Sequence, residues 1–436
     1  MSGSTQDFTQ PAASPHPGTE PLLRQAIELN RAGRWEESCR VWEQILALDP
    51  DHADALYHLG HRLLQVGKTA EAKSYFERAL LRAAGAPLVH FALAQAANKL
   101  GNADDELAAI NRVLSLDPYF TNALLAKGAF YEKQGKFRMA GANYRNALKT
   151  LRPGTEIHPQ LRATIEHAAR VVDDQRRALD VYLSGAVREI RDASVPSELE
   201  RYDECQAVFT GLKTAYVQNP LLLHFPRLPV MQFYDRALFP WIEKFESHTT
   251  AVRKELQDAM RTQDLGWAPY IDHPDGAPLN QWSELQRSSR WSSLFLWKDG
   301  RPIEEALAKF PAAAAALAEV PLNAIPGRGP TVFFSSLAPK TKIPPHTGST
   351  NARLVLHLPL MVPGGCALRV GNDTREFAEG RAWVFDDTIE HEAWNDSDAQ
   401  RIVLLMDIWN PFLTQTERDL VGALMSANER YYAEEQ

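Results

Sequence analysis

Cysteine is scarce in this chain: Cys39, Cys205 and Cys366 are three in 436 residues, odd in number and far apart. That pattern excludes a disulfide framework and a zinc ribbon, and it fits a reducing compartment. Long apolar runs are missing too. The longest, Phe310 to Ala318, is far shorter than the roughly 20 residues that a membrane-spanning helix needs. No Lys/Arg run and no basic-aromatic stripe occurs, and a net charge of −8 argues against a nucleic-acid surface. The first residues, Met1 to Glu20, are rich in Ser, Thr, Pro and Gly. With neither a basic start nor an apolar stretch they do not read as a signal peptide. A disordered tail over residues 1–20 and a cytoplasmic location are the expectation.

What is present has the composition of a soluble globular protein, 44% apolar and 23% charged, long enough for two or three domains. The first half is periodic. Gly33, Gly67, Gly101 and Gly135 are each 34 residues apart. Nine residues after each come Trp42, Phe76, Ile110 and Tyr144, and thirteen after come Leu46, Leu80, Leu114 and Leu148. Asp49-Pro50 and Asp117-Pro118 recur two periods apart. The pattern resembles the tetratricopeptide repeat, a helix-turn-helix unit. Glycine makes the turn, the large apolar residues share one face of the second helix, and units must stack to bury it. An all-α solenoid is expected over residues 21–190, with helical pattern from Pro159 to about Ile190 and a connecting segment over 191–225. Its concave side suits a peptide or partner protein; a pure packing role is the other reading.

From about Leu221 the texture changes. Trp241 to Met260 has helical spacing. Short strands are then predicted at Trp291–Trp297, Thr331–Ser335, Arg353–Leu360, Cys366–Val370, Ala382–Phe385 and Arg401–Ile408. Six short strands separated by turn residues imply a β-sandwich or barrel. A final helix is predicted from Thr414 to Tyr432, with Thr414 and Glu417 as a capping box.

Two histidines stand out in this half: His346 in Pro345-His346-Thr347-Gly348, and His391 in Asp386-Asp387-Thr388-Ile389-Glu390-His391-Glu392. His346 precedes a predicted strand whose inward set is Arg353, Val355 and His357, and His391 follows the Asp386-Asp387 turn. Both can face one barrel mouth, with Arg401 deeper. Neutral imidazoles suit ferrous iron, and a buried arginine suits a carboxylate.

Together with Phe233-Tyr234-Asp235, Trp291-x5-Trp297, Phe334-Ser335, Thr350-Asn351, His357-Leu358, Trp394 and Arg401, these motifs resemble the aspartyl/asparaginyl β-hydroxylase family over about residues 226–411. The resemblance implies a double-stranded β-helix (jelly-roll) domain over 226–436. It implies an Fe(II)- and 2-oxoglutarate-dependent dioxygenase that hydroxylates a C–H bond, such as the β-carbon of an Asp or Asn residue. Carried over by position, His346 and His391 would be the iron ligands and Arg401 a catalytic anchor for 2-oxoglutarate. Trp291, Ser335 and His357 would contact that co-substrate. Most related oxygenases place a carboxylate where Gly348 stands; in this family glycine is usual. Active members often carry an arginine at the position of Val355, for which Arg353 would substitute. Two alternatives stay open: a protein-interaction scaffold with an impaired metal-binding barrel, and a hydroxylase of a small amino acid or lipid.

Overall fold

The computed structural model describes residues 18–152, 157–262 and 265–433. Most of the expected tail, residues 1–17, lies outside the described residues; Thr19 and Glu20 already belong to the first helix. Two compact units are formed, Met1–Leu212 and Lys213–Gln436, the break falling inside the expected connecting segment.

In the first unit the 34-residue period becomes four helix pairs: α1 Thr19–Arg31 with α2 Trp35–Leu48, α3 Ala53–Gln65 with α4 Thr69–Arg82, α5 Pro87–Leu100 with α6 Ala103–Leu116, and α7 Thr121–Lys133 with α8 Phe137–Thr150. Each periodic glycine sits in the turn within a pair at positive φ, a conformation that costs other residues more. Trp42, Phe76, Ile110 and Tyr144 are buried. A second glycine set lets the pairs close. A Cβ at Gly128 would meet the Tyr144 ring at 2.4 Å, and one at Gly60 would meet Phe76 at 2.7 Å. The helical stretch after Pro159 is broken into α9 Pro159–Ala186 and α10 Arg188–Asp192. The connecting segment contains a further helix, α11 Pro196–Thr210.

The second unit is built on two antiparallel sheets. Its helices are α12 Ile242–Glu246, α13 Thr249–Thr262, α14 Glu304–Lys309, α15 Pro311–Leu317 and α16 Gln415–Ala433. The single helix expected at Trp241–Met260 is thus two. The strands are β1 Ala268–Pro269, β2 Trp291–Lys298, β3 Arg301–Pro302, β4 Val332–Leu337, β5 Thr341–His346, β6 Arg353–Met361, β7 Cys366–Val370, β8 Asp373–Glu376, β9 Trp383–Phe385, β10 His391–Asn395 and β11 Arg401–Trp409. The larger sheet runs β1-β2-β4-β11-β6-β9, with β3 on β2; the smaller runs β5-β10-β7-β8. This is the expected two-sheet β domain after a helical repeat domain.

Strand alternation divides the core in two. Leu354, Leu356, Leu358 and Leu360 of β6, with Ile402, Leu404, Met406 and Ile408 of β11, face one side and join Val252 and Leu256 of α13, Leu317 of α15 and Phe310 just before it. The apolar run 310–318 is therefore a core helix. Val355 and Val403 point the other way, into a second core with Ile343, Leu368, Val370 and Ala393 of the smaller sheet. The functional cavity lies in that second layer. At the end of the domain Thr414 and Glu417 form the predicted reciprocal cap: the Thr414 N–H donates to Glu417 Oε2 at 2.8 Å, and the Glu417 N–H donates to Thr414 Oγ1 at 3.3 Å. Among the described residues, no helix is long and apolar enough to cross a membrane.

The close approach at Gly128 predicts that Gly128→Val lowers stability by about 1–3 kcal/mol through overpacking. Gly185→Ala, in α9 with open space around the new Cβ, should instead raise stability by about 0.5–1 kcal/mol. Denaturant midpoints of the two variants, moving in opposite directions, check both.

Candidate active site

His346 closes β5 and His391 opens β10, and the two residues are direct Cα partners across that strand pair. Their ring centroids lie 4.0 Å apart. They meet, as expected, but from neighbouring strands, β5 and β10, neither of which the sequence predicted. β5 escaped the sequence reading because it carries Pro344 and Pro345. It is tolerated because β5 is an edge of its sheet.

Each imidazole is oriented by its own backbone. The Nδ1–H of His346 donates to the Pro344 carbonyl at 2.8 Å, and that of His391 donates to Ile389 at 3.1 Å. In both rings this leaves Nε2 as the atom with the free lone pair, the arrangement that metal-ligating histidines use. Burial, and for His391 also its neighbour His346, pushes both pKa values below the ordinary range, so both rings are neutral at pH 7. Among the described residues there is no group of three or more His, Cys, Asp or Glu side chains placed to hold a metal. Glu392 points away from the site and pairs with Lys342 and Arg369.

The place of a third donor is informative. An ideal Cβ on Gly348 would lie 1.9 Å from Asp387 Oδ2. No side chain fits at residue 348 while that carboxylate is there. Sequence reasoning took Asp386-Asp387 as a turn pair. Asp386 does that work, its Oδ1 accepting from the Thr388 N–H and hydroxyl. Asp387 instead enters the cavity, where burial raises its pKa to about 6, and its Oδ1 is buried with no hydrogen-bond partner.

All seven expected site residues, Trp291, Ser335, His346, Arg353, His357, His391 and Arg401, line one cavity of about 250 Å³. Among them Arg401 is 1% exposed. Its guanidinium has no carboxylate partner among the described residues. It reaches Ser335 Oγ at 3.4 Å, lies 5.2 Å from the Phe377 ring centroid, and keeps Nε unbonded. Burial lowers its pKa to about 10, which leaves it a cation at neutral pH. The Trp291 Nε1–H donates to the same Ser335 hydroxyl at 3.1 Å. His357 is buried with both ring nitrogens unbonded, and burial together with Arg401 lowers its pKa to about 3. A buried cation and a neutral imidazole without partners are costly unless a ligand supplies them.

Arg353 departs from expectation. It lines the cavity, yet its guanidinium pairs with Asp387 at 2.9 Å and Asp407 at 3.1 Å. Burial works against its charge, but the two carboxylates outweigh that and hold its pKa above the ordinary value. It therefore does not stand free in place of the arginine absent at Val355. Sequence reasoning also missed Tyr270, stacked on Trp291 at 4.2 Å, and Trp282, edge-on to His346 at 5.0 Å; neither sits in a recognisable motif.

Nor was the role of residues 218–225 visible. Gln218 Nε2 donates to Asp386 Oδ2 at 2.6 Å and its Oε1 accepts from Asn351 at 2.9 Å. The Asn219 N–H donates to Thr388 O, Leu221 to Gly348 O, and Leu222 and Leu223 to Ser349 O. The segment straps the loop after His346 to the loop before His391.

Residues 246–411 match the family model described as aspartyl/asparaginyl beta-hydroxylase, and residues 23–61 and 57–119 match a tetratricopeptide repeat model. The ornithine lipid ester-linked acyl 2-hydroxylase of Rhizobium tropici is 32% identical over 210 residues, 47% of this chain and 70% of that protein. The chain belongs to the aspartyl/asparaginyl β-hydroxylase family. The human aspartyl/asparaginyl beta-hydroxylase is 34% identical over 185 residues, 42% of this chain and 24% of that protein, so the match to this family member spans about a quarter of its length. Among solved structures, a thermophilic TPR protein of Thermus thermophilus is 18% identical and covers 45% of this chain and 98% of its own, with a TM-score of 0.31.

Two predictions follow from the geometry of this family member. Gly348→Ala should destabilise the chain, and Asp387→Gly should relieve that loss in the double variant. A double-mutant cycle in thermal melts measures the coupling, expected at about 0.5–3 kcal/mol. Gln218→Ala should loosen both histidine loops, read as faster amide exchange at Gly348 and Thr388 with exchange in α13 unchanged.

Proposed function

We propose that this chain is an Fe(II)- and 2-oxoglutarate-dependent hydroxylase of a C–H bond. The observation that carries the reading is the pairing of two bare imidazole Nε2 atoms with a buried arginine that lacks an anion, in one cavity. His346 and His391 would hold the iron, whose preference for neutral imidazole fits their depressed pKa values. The metal and its co-substrate supply the oxidising chemistry, splitting O₂ as 2-oxoglutarate becomes succinate and CO₂.

The chain's own residues bind and orient. Arg401, with Ser335 held by the Trp291 N–H, would take the far carboxylate of 2-oxoglutarate. His357, uncharged, lies beside it on the wall. Asp387 occupies the space that a side chain at residue 348 would need, and its unbonded Oδ1 would accept a hydrogen bond from a water in the cavity. Val355 supplies no cation and Arg353 is held by Asp387 and Asp407, so co-substrate affinity would rest on Arg401 and the metal.

The substrate readings are those of the relatives: an Asp or Asn side chain, or a lipid acyl chain. In the repeat unit, a concave cavity of about 480 Å³ between α3, α5 and α7 presents Gln95, Asn98, Lys99 and Lys133, and it suits a peptide of a partner protein. The cytoplasm is the proposed location.

Anaerobic calorimetry tests the site. The wild type should bind Fe(II) and then 2-oxoglutarate, and form succinate when oxygen is admitted. His346→Ala with His391→Ala should abolish metal binding. Arg401→Ala should keep the metal and weaken 2-oxoglutarate by at least about 30-fold. Unchanged co-substrate affinity in Arg401→Ala, or metal retained by the double variant, would sink the proposal.

A further inference from the structure

We propose that Trp282, Trp291 and Tyr270 form a redox lane that drains an oxidising equivalent from the histidine cavity to solvent. The source of the oxidant rests on the hydroxylase reading; the lane itself rests on ring geometry. All three side chains line the cavity with His346 and His391. The Trp282 ring lies edge-on to that of His346, with centroids 5.0 Å apart. Trp291 lies 6.0 Å from Trp282, and Tyr270 stacks on Trp291 at 4.2 Å with 30° between the planes. Rings at such separations are aromatic pairs in direct contact, so an electron can pass from ring to ring without crossing solvent. Indole and phenol are also the aromatic side chains that give up an electron most readily.

The surroundings leave the lane one way out. Beside His391 stands Phe385, with ring centroids 5.4 Å apart, and a benzene ring is far harder to oxidise. Beyond Tyr270 the stack continues into Phe333 at 5.1 Å, which is closed for the same reason and buried. Tyr270 itself is 37% exposed, so its proton can reach water. Among the described residues no cysteine or methionine lines the cavity, so no sulfur competes as the sink.

The imidazoles are what the lane spares. An oxygen-derived oxidant, formed from O₂ and 2-oxoglutarate with no substrate in place, would otherwise attack them. Trp282 gives that oxidant one electron, Trp291 refills Trp282, and Tyr270 refills Trp291. In the last transfer the phenolic O–H bond breaks and its proton goes to solvent. Both indoles are restored, the oxidant is reduced by one electron, and a phenoxyl radical remains at Tyr270.

Pulse radiolysis of the metal-free full chain tests the lane. Azide radicals oxidise tryptophan, and decay of the indolyl absorption into the phenoxyl absorption follows the transfer. The wild type should show a fast phase independent of protein concentration. Tyr270→Phe and Trp291→Phe should each slow it by about tenfold or more. Tyr119→Phe, 77% exposed between α6 and α7, should leave it unchanged. A fast phase that survives Tyr270→Phe overturns the lane. The iron-loaded chain is then given 2-oxoglutarate and air without substrate, and its peptides are weighed. Oxidation of the peptides holding His346 and His391 should rise about threefold or more in Trp282→Phe; no rise overturns the protective role. Succinate, measured alongside, separates the two readings. Its absence with the fast phase intact defeats the hydroxylase reading, and its presence without that phase defeats the lane.

Discussion

The pairing of β5 with β10 is the constraint on which the site depends. Antiparallel register makes His391 the direct partner of His346, so hydrogen bonding between two backbones places the imidazoles side by side. A slip of one residue would turn one ring to the opposite face. Two further contacts hold that register at its open end. The Gly348 N–H donates to the Asp387 carbonyl at 2.6 Å, and Asn351, fully buried, binds both Gln218 and the Phe225 backbone. The segment ahead of β5 and β10 is therefore part of the candidate site, although the family match begins only at residue 246.

Charge is distributed unevenly around the cavity. Arg401 is a buried cation with no counter-ion, beside a histidine held neutral. Arg353 is a buried cation with two counter-ions. Burying an ion is unfavourable unless it is paired. Arg401 is left without an anion, whereas Arg353 is satisfied by Asp387 and Asp407. The same side-chain type, lining the same cavity, thus differs in state because of its neighbours.

Much of this was legible in the sequence. The glycine period fixed the helix pairs because a positive-φ turn leaves few other choices. The alternation in β6 and β11 announced which residues face inward, and the seven site residues fell into one cavity. What could not be read depended on tertiary partners. β5 looked like a loop because prolines hide an edge strand. Asp387 looked like a turn residue because its turn is real, yet its neighbour Asp386 does the capping. Arg353 had the correct strand parity, but nothing local reveals that Asp387 and Asp407, 34 and 54 positions away, converge on it. Residues 218–225 carry no recognisable motif because their role lies in backbone hydrogen bonds and in Gln218, whose side-chain partners Asp386 and Asn351 are 168 and 133 positions away.

The central claim is that the two opposed histidines form the metal site through Nε2, with no third side-chain ligand. X-ray absorption at the metal edge of the cobalt(II)-loaded chain tests this most directly. Two imidazole shells with the remaining donors oxygen, falling to one in His391→Ala, is the predicted result. A sulfur donor, or a spectrum unchanged by that substitution, would contradict it.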